Sequence, residues 1–138
     1  MKKLFIDTNI VIDLLAKREP FYDEAAMLFT LADKQKIRLS VSALTFANTN
    51  YILLQSKKPE EAKLILRKLK LIVQVFSLDE KIVGLSLNDE DFKDYEDALQ
   101  YFTALENGVD AIITRNLKDF QKAKLPVMTA SQFLKSIK

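Results

Sequence analysis

Two aspartates stand where side-chain chemistry is plausible, Asp7 in KLFIDTNIVIDL and Asp97 at the end of NDEDFKDYED. The apolar run Leu4-Phe5-Ile6 stops at Asp7-Thr8-Asn9, and apolar residues resume at Ile10, Val11, Leu14 and Leu15 with helical spacing, which predicts a buried strand ending in a carboxylate. Open α/β sheets bind ligands at the carboxyl ends of their strands. Asp, Thr and Asn also cap helices by satisfying orphan amides, so position alone leaves Asp7 between a cap and a functional group. The stretch from Asn88 to Asp97 carries six carboxylates and one lysine on a chain of net charge +2. A helix N-terminus, where negative charge is favoured, accounts for Asp89, Glu90 and Asp91. It accounts less well for Asp97. Ala98, Tyr101, Phe102 and Leu105 define the apolar face of the following helix, and Asp94 and Asp97, three residues apart, flank or share it. A carboxylate beside a buried face costs free energy unless a cation or hydrogen-bond donors compensate it, so Asp97 reads as recruited.

What the chain lacks narrows the chemistry further. Without histidine there is no Ser-His-Asp or Cys-His constellation and no HExxH motif. Without cysteine there is no disulfide framework, thiolate metal site or thiol nucleophile. An enzyme built from this chain works with Asp, Glu, Lys, Tyr, hydroxyls and amides, and oxygen ligands of that kind suit magnesium or manganese. Two glycines and three prolines leave no phosphate-cradling loop, linker or repeat. Lys57, Lys58, Lys63, Arg67, Lys68 and Lys70 form a basic stripe that could track phosphates, although a solvated helix face explains it as simply.

The elements that must position these groups follow from apolar periodicity. A short helix is expected over Val11 to Ala16 and a longer one from Pro20 through Ala32. A strand at Arg38 to Ser42 leads into a helix from Ala43 to Gln55, with Leu44, Ala47, Tyr51 and Leu54 as its apolar residues. Pro59 opens a helix with Ala62, Ile65, Leu66 and Leu69 on one face, Leu71 to Leu78 forms a third strand, and Asp79 caps a helix over Glu80 to Leu87. Asn107-Gly108 ends the Asp97 helix. A fourth strand at Val109 to Thr114 runs into Arg115-Asn116, where Asn116 is either a ligand or a turn residue. Val127 adds an edge strand, and Thr129 caps a final helix through Ile137. The β-α rhythm implies an α/β fold with a parallel sheet. At 138 residues and 49% hydrophobic content, one soluble domain over 1–138 is expected. The start MKKLFIDTN is too briefly apolar for a signal peptide and no later run spans a bilayer, so a cytoplasmic location without membrane contact is expected.

Taken together, FIDTN, SALTxxN, DYEDALQYFTALENG and DAIITRNLKDF, in that order over nearly the whole chain, resemble the PIN domain family, the nuclease fold of VapC-type toxins. The resemblance implies a three-layer α/β/α PIN-like fold with a central, mainly parallel sheet of four to five strands. It also implies acidic side chains converging on Mg2+ or Mn2+ to cut RNA. By match, Asp7 is the first acid and Asp97 the third, the two expected metal ligands. Asp94 is a neighbour, Asn116 stands at the fourth polar position, and the final acid survives as Asp119. The second acid, usually a glutamate, is replaced by Asn48. An amide oxygen can ligate a hard cation but brings no charge.

The expected activity is metal-assisted hydrolysis of RNA phosphodiester bonds. Thr8, Asn9, Asn48 and Thr114 are expected to position ligands or substrate. The resemblance further implies a cognate antitoxin partner and a homodimer. The alternative is a PIN-like module that binds RNA or a protein and lost catalysis with Asn48. A haloacid-dehalogenase-like phosphatase is disfavoured because it needs a carboxylate where Asn9 stands. A receiver domain is disfavoured because the neighbours of Asp7 are Ile6 and Thr8.

Overall fold

Strand β1 (Lys2–Ile6) forms the middle of a five-stranded sheet. A computed structural model describes residues 1–137; Lys138, the last residue of the expected domain, lies outside them. On one side β1 pairs with β2 (Ile37–Ser42), which pairs with β3 (Gln74–Phe76). On the other it pairs with β4 (Ala111–Ile113), which pairs with β5 (Val127–Met128). The order is β3-β2-β1-β4-β5 and every pairing is parallel. This is the α/β sheet that the β-α rhythm and the resemblance implied. The chain moves outward from β1 to β3 and then crosses back to β4, so the direction of winding reverses between β1 and β4. At such a switch point the loops leaving the two strands diverge and open a crevice at their carboxyl ends.

Alternation along the strands separates two cores. Leu4, Ile6, Leu39, Val41, Ala111 and Ile113 face α1 (Thr8–Leu15), α2 (Tyr22–Asp33) and α7 (Ala130–Ser136), meeting Ile10, Val11, Leu28 and Phe133. Phe5 and Ile112 face the other way, toward α6 (Tyr95–Glu106), and meet Ala98, Tyr101 and Ala104 together with Phe92 and Phe120. Three further helices complete the fold: α3 (Ala43–Leu53), α4 (Pro59–Lys70) and α5 (Glu80–Asn88). No helix among the described residues is long and apolar enough to cross a membrane.

Several expected boundaries move for identifiable reasons. Helix α1 begins at Thr8 rather than Val11, because the Asp7 carboxylate caps it by accepting from the Thr8 amide at 2.8 Å. Helix α2 begins at Tyr22, two residues after Pro20. Strand β3 is only Gln74–Phe76, an edge strand paired on one side, and Ile72 and Val73 pack into the core from the preceding turn. Strand β4 is similarly short, Ala111–Ile113. The largest correction concerns α3. Its buried residues are Thr45, Thr49 and Leu53, whereas Tyr51 and Leu54 of the expected apolar face are exposed. The helix turns hydroxyls inward because its first turn meets the polar carboxyl edge of the sheet.

Candidate active site

At the crevice, β1 and β4 deliver Asp7 and Thr114 side by side. The Asp7 amide donates to the Ile113 carbonyl at 3.0 Å, extending the ladder one residue beyond the strands. The Thr114 hydroxyl donates to Asp7 Oδ2 at 2.9 Å, and Asn9 Nδ2 donates to the same oxygen at 3.2 Å. With the Thr8 amide on Oδ1, Asp7 is held by three neutral donors and is both a cap and a fixed carboxylate. Burial pushes its pKa up. The Thr114 and Thr8 hydrogen bonds and the charge of Arg115 act in the opposite direction, and Asp119 adds to the rise.

The second carboxylate arrives on α6. Asp97 lies in the first turn, beside the N-cap Asp94, and its pKa is raised to about 7. Burial is the largest cause, followed by the charges of Asp94, Asp119, Asp7 and Glu96. Carboxylates gathered this closely resist full ionisation unless a cation joins them. Asp94, Asp97 and Asp119 line a cleft of about 390 Å3, where Lys93, Lys118 and Lys122 alternate with the acids.

The remaining expected residues fall into distinct places. The hydroxyl of Thr8 points inward, 2.8 Å from that of Thr45, and Gln100 Nε2 donates to both, at 3.0 and 3.2 Å. Thr8 and Thr114 thus orient protein groups instead of facing solvent. Asn48 is half-buried on α3, one turn beyond Thr45. Asn116 is exposed, and its backbone builds the turn: its amide donates to Thr114 Oγ1 at 3.1 Å and its carbonyl accepts from Asp119 at 3.0 Å. The structure adds Thr45, Gln100 and Arg115 to the neighbourhood and gives Asp119 weight as a charge felt by both main acids. Gln100 was detectable in principle as a polar residue three positions after Asp97, on the same side of the helix.

The donor set suits a hard divalent cation. Asp7 and Asp97 supply carboxylates, and the buried amide oxygen Asn9 Oδ1, on the residue that bonds Asp7, has no hydrogen-bond partner. Among the described residues no three acidic groups converge into a ready-made cage. Magnesium is commonly held by one or two carboxylates while retaining several waters, so the arrangement fits an ion that keeps part of its hydration.

Residues 3–118 match the PIN domain family. Ribonuclease VapC1 of Aquifex aeolicus (strain VF5) is 28% identical over 138 residues, spanning 96% of this chain and 93% of that protein. Among solved structures, a toxin-antitoxin complex from Klebsiella pneumoniae aligns with a TM-score of 0.69 at 24% identity, over 92% of this chain and 97% of that one. VapBC-1 from nontypeable Haemophilus influenzae gives 0.67 at 23%, over 94% and 98%. The structural likenesses reproduce the parallel sheet and its flanking helices, and the family match runs from β1 into the turn after β4, taking in Asp7, Asp97 and Thr114. The chain belongs to the PIN domain family.

Proposed function

We propose that this protein is a divalent-metal-dependent endoribonuclease, acting as the toxin of a toxin-antitoxin pair. The observation that carries the reading is the Asp7–Asp97 arrangement: two carboxylates at a sheet switch point, pushed toward protonation by burial and by other acids, with no cation among the described residues bonded to either. Asp7 and Asp97 hold Mg2+ or Mn2+, with Asp119 and Asp94 adding field. When bound, the ion supplies positive charge that stabilises the developing phosphoryl charge and acidifies a water. The protein's own contribution is positional. Thr114, Thr8 and Asn9 lock the Asp7 carboxylate, and the Asn116 turn fixes Thr114. Lys93, Lys118 and Lys122 meet the phosphate backbone of RNA along the cleft, a sequence-independent contact.

The homologous ribonuclease from Aquifex and the toxin-antitoxin complexes among the structural relatives support the substrate class and an antitoxin partner. The exposed Tyr51 and Leu54 of α3 give a second copy of the chain an apolar face on which to pair. Asn48 favours one other reading, an RNA-binding module without cleavage. The deciding experiment incubates a mixed RNA pool with Mn2+ and compares wild type with Asp97→Asn. Cleavage by wild type alone supports the nuclease. RNA binding without cleavage by either protein supports the module, and equal cleavage by both overturns the site.

A further inference from the structure

Gln100 occupies a position that packing does not explain. It is 3% exposed and lies one turn beyond Asp97, on the side of α6 that also carries the buried Thr103 and Ala104. Its Nε2 reaches the hydroxyls of Thr8 and Thr45, which are themselves bonded at 2.8 Å, and its Oε1 is buried without a partner. A leucine would fill similar space with less polar cost, since Thr8 and Thr45 already satisfy each other, and a buried unpaired carbonyl is unfavourable. The three corners of this triangle are nevertheless telling. Thr8 follows Asp7 directly, Thr45 precedes Asn48 by one turn, and Gln100 follows Asp97 by one turn. Each corner belongs to a different element, α1, α3 or α6.

We infer that Gln100 is a positioning residue whose bonds to Thr8 and Thr45 hold α6, and with it Asp97, in register with Asp7 for divalent-metal binding. The inference rests on the metal reading proposed above. Like charges at Asp7 and Asp97 push α6 and β1 apart, and Asn48 contributes no charge that would help a cation draw them together. A neutral clamp beneath the carboxylates keeps the centre formed before any ion arrives, which lowers the cost of binding by preorganisation. Outer groups of this kind typically change metal affinity 10- to 100-fold when removed.

The test uses purified full-length protein, with Mn2+ affinity measured by calorimetry and thermal unfolding recorded in chelator. Gln100→Leu is expected to unfold within a few degrees of wild type while binding Mn2+ roughly 10- to 100-fold more weakly. Thr45→Val is expected to weaken binding in the same direction. The double variant is expected to be little worse than Gln100→Leu, because both changes open one clamp. Should Gln100→Leu fail to fold, Thr45→Val decides alone. Mn2+ affinity within twofold of wild type in a folded variant overturns the inference and leaves the metal reading standing. Absence of Mn2+ binding by wild type overturns both.

Discussion

Asp7 and Asp13 lie six residues apart on one strand-helix unit, both almost fully buried and both pushed upward in pKa by that burial. Their surroundings differ in one respect. Arg115 Nε donates to Asp13 Oδ2 at 2.7 Å while its guanidinium sits 4.1 Å over the ring of Phe21, so Asp13 has its countercharge inside the fold. Asp7 bonds only a hydroxyl, an amide side chain and a backbone amide; the charge of Arg115 favours its ionisation without bonding it, and that of Asp119 opposes it. Burial alone therefore does not mark a functional acid. The sign we propose for a functional acid is a buried carboxylate fixed by neutral donors with no bonded countercharge.

That contrast is open to direct attack. The largest expected effect is on cleavage: Asp7→Asn removes a charged ligand and should reduce RNA cleavage in Mn2+ by roughly 10²- to 10³-fold, the scale of losing a few kcal/mol of charge stabilisation. The same change should leave the melting temperature in chelator unchanged or higher, because it neutralises an uncompensated buried charge. A substantial drop would place Asp7 with Asp13 as a structural acid. Next comes Arg115→Ala, which strands Asp13 and is expected to cost about 2–4 kcal/mol in urea unfolding, somewhat less than a fully buried pair because Arg115 is partly exposed. No loss of stability would erase the distinction from the other side.

Smaller effects sharpen it. Asn48→Glu supplies another carboxylate at the family's second acidic position, and titration calorimetry should show Mn2+ affinity rising by about tenfold, since ligand charge is a main determinant of affinity; weaker binding would mean that Asn48 points away from the ion. The smallest expected effect is a pH dependence, because Asp97 is only half-buried and solvent screens its charge. Asp97 ionises near 7 in the folded protein against an ordinary 3.8, so the unfolded chain releases its proton first. In chelator, the contribution of Asp97 to stability should be fully present below about pH 4, decline as pH rises toward 7, and be lost above it. Asp97→Asn should make that decline shallower, as should saturating Mn2+. An identical profile in the variant would remove Asp97 from the charge cluster.

Much of the fold was legible because apolar periodicity distinguishes strand from helix at nearly every step. Asp7 was placed by the abrupt end of Leu4-Phe5-Ile6, and the apolar residues beside Asp97 marked its environment. What escaped depended on long-range pairing between ordinary residues. Asp13 and Arg115 are 102 residues apart, and Gln100 meets Thr8 and Thr45 across 92 and 55 residues. Helix α3 misled for the same reason. Its visible stripe of Leu44, Ala47, Tyr51 and Leu54 suggested an inward face, but Thr45 was needed at the crevice, and meeting Thr8 rotated Tyr51 and Leu54 toward solvent. Periodicity reports which residues share a face; it does not report which face is inward when the interior at that level is polar.

The separation of Asp7 from Thr114 has a temporal consequence as well. Asp7 directly follows β1, and the hydroxyl that orients it comes 107 residues later. A nascent chain carries the Asp7 carboxylate long before β4 exists to dock beside β1, and domains fold as units once their parts are available. Translation thus cannot assemble the Asp7–Thr114 pair until β4 has emerged, a delay written into strand order.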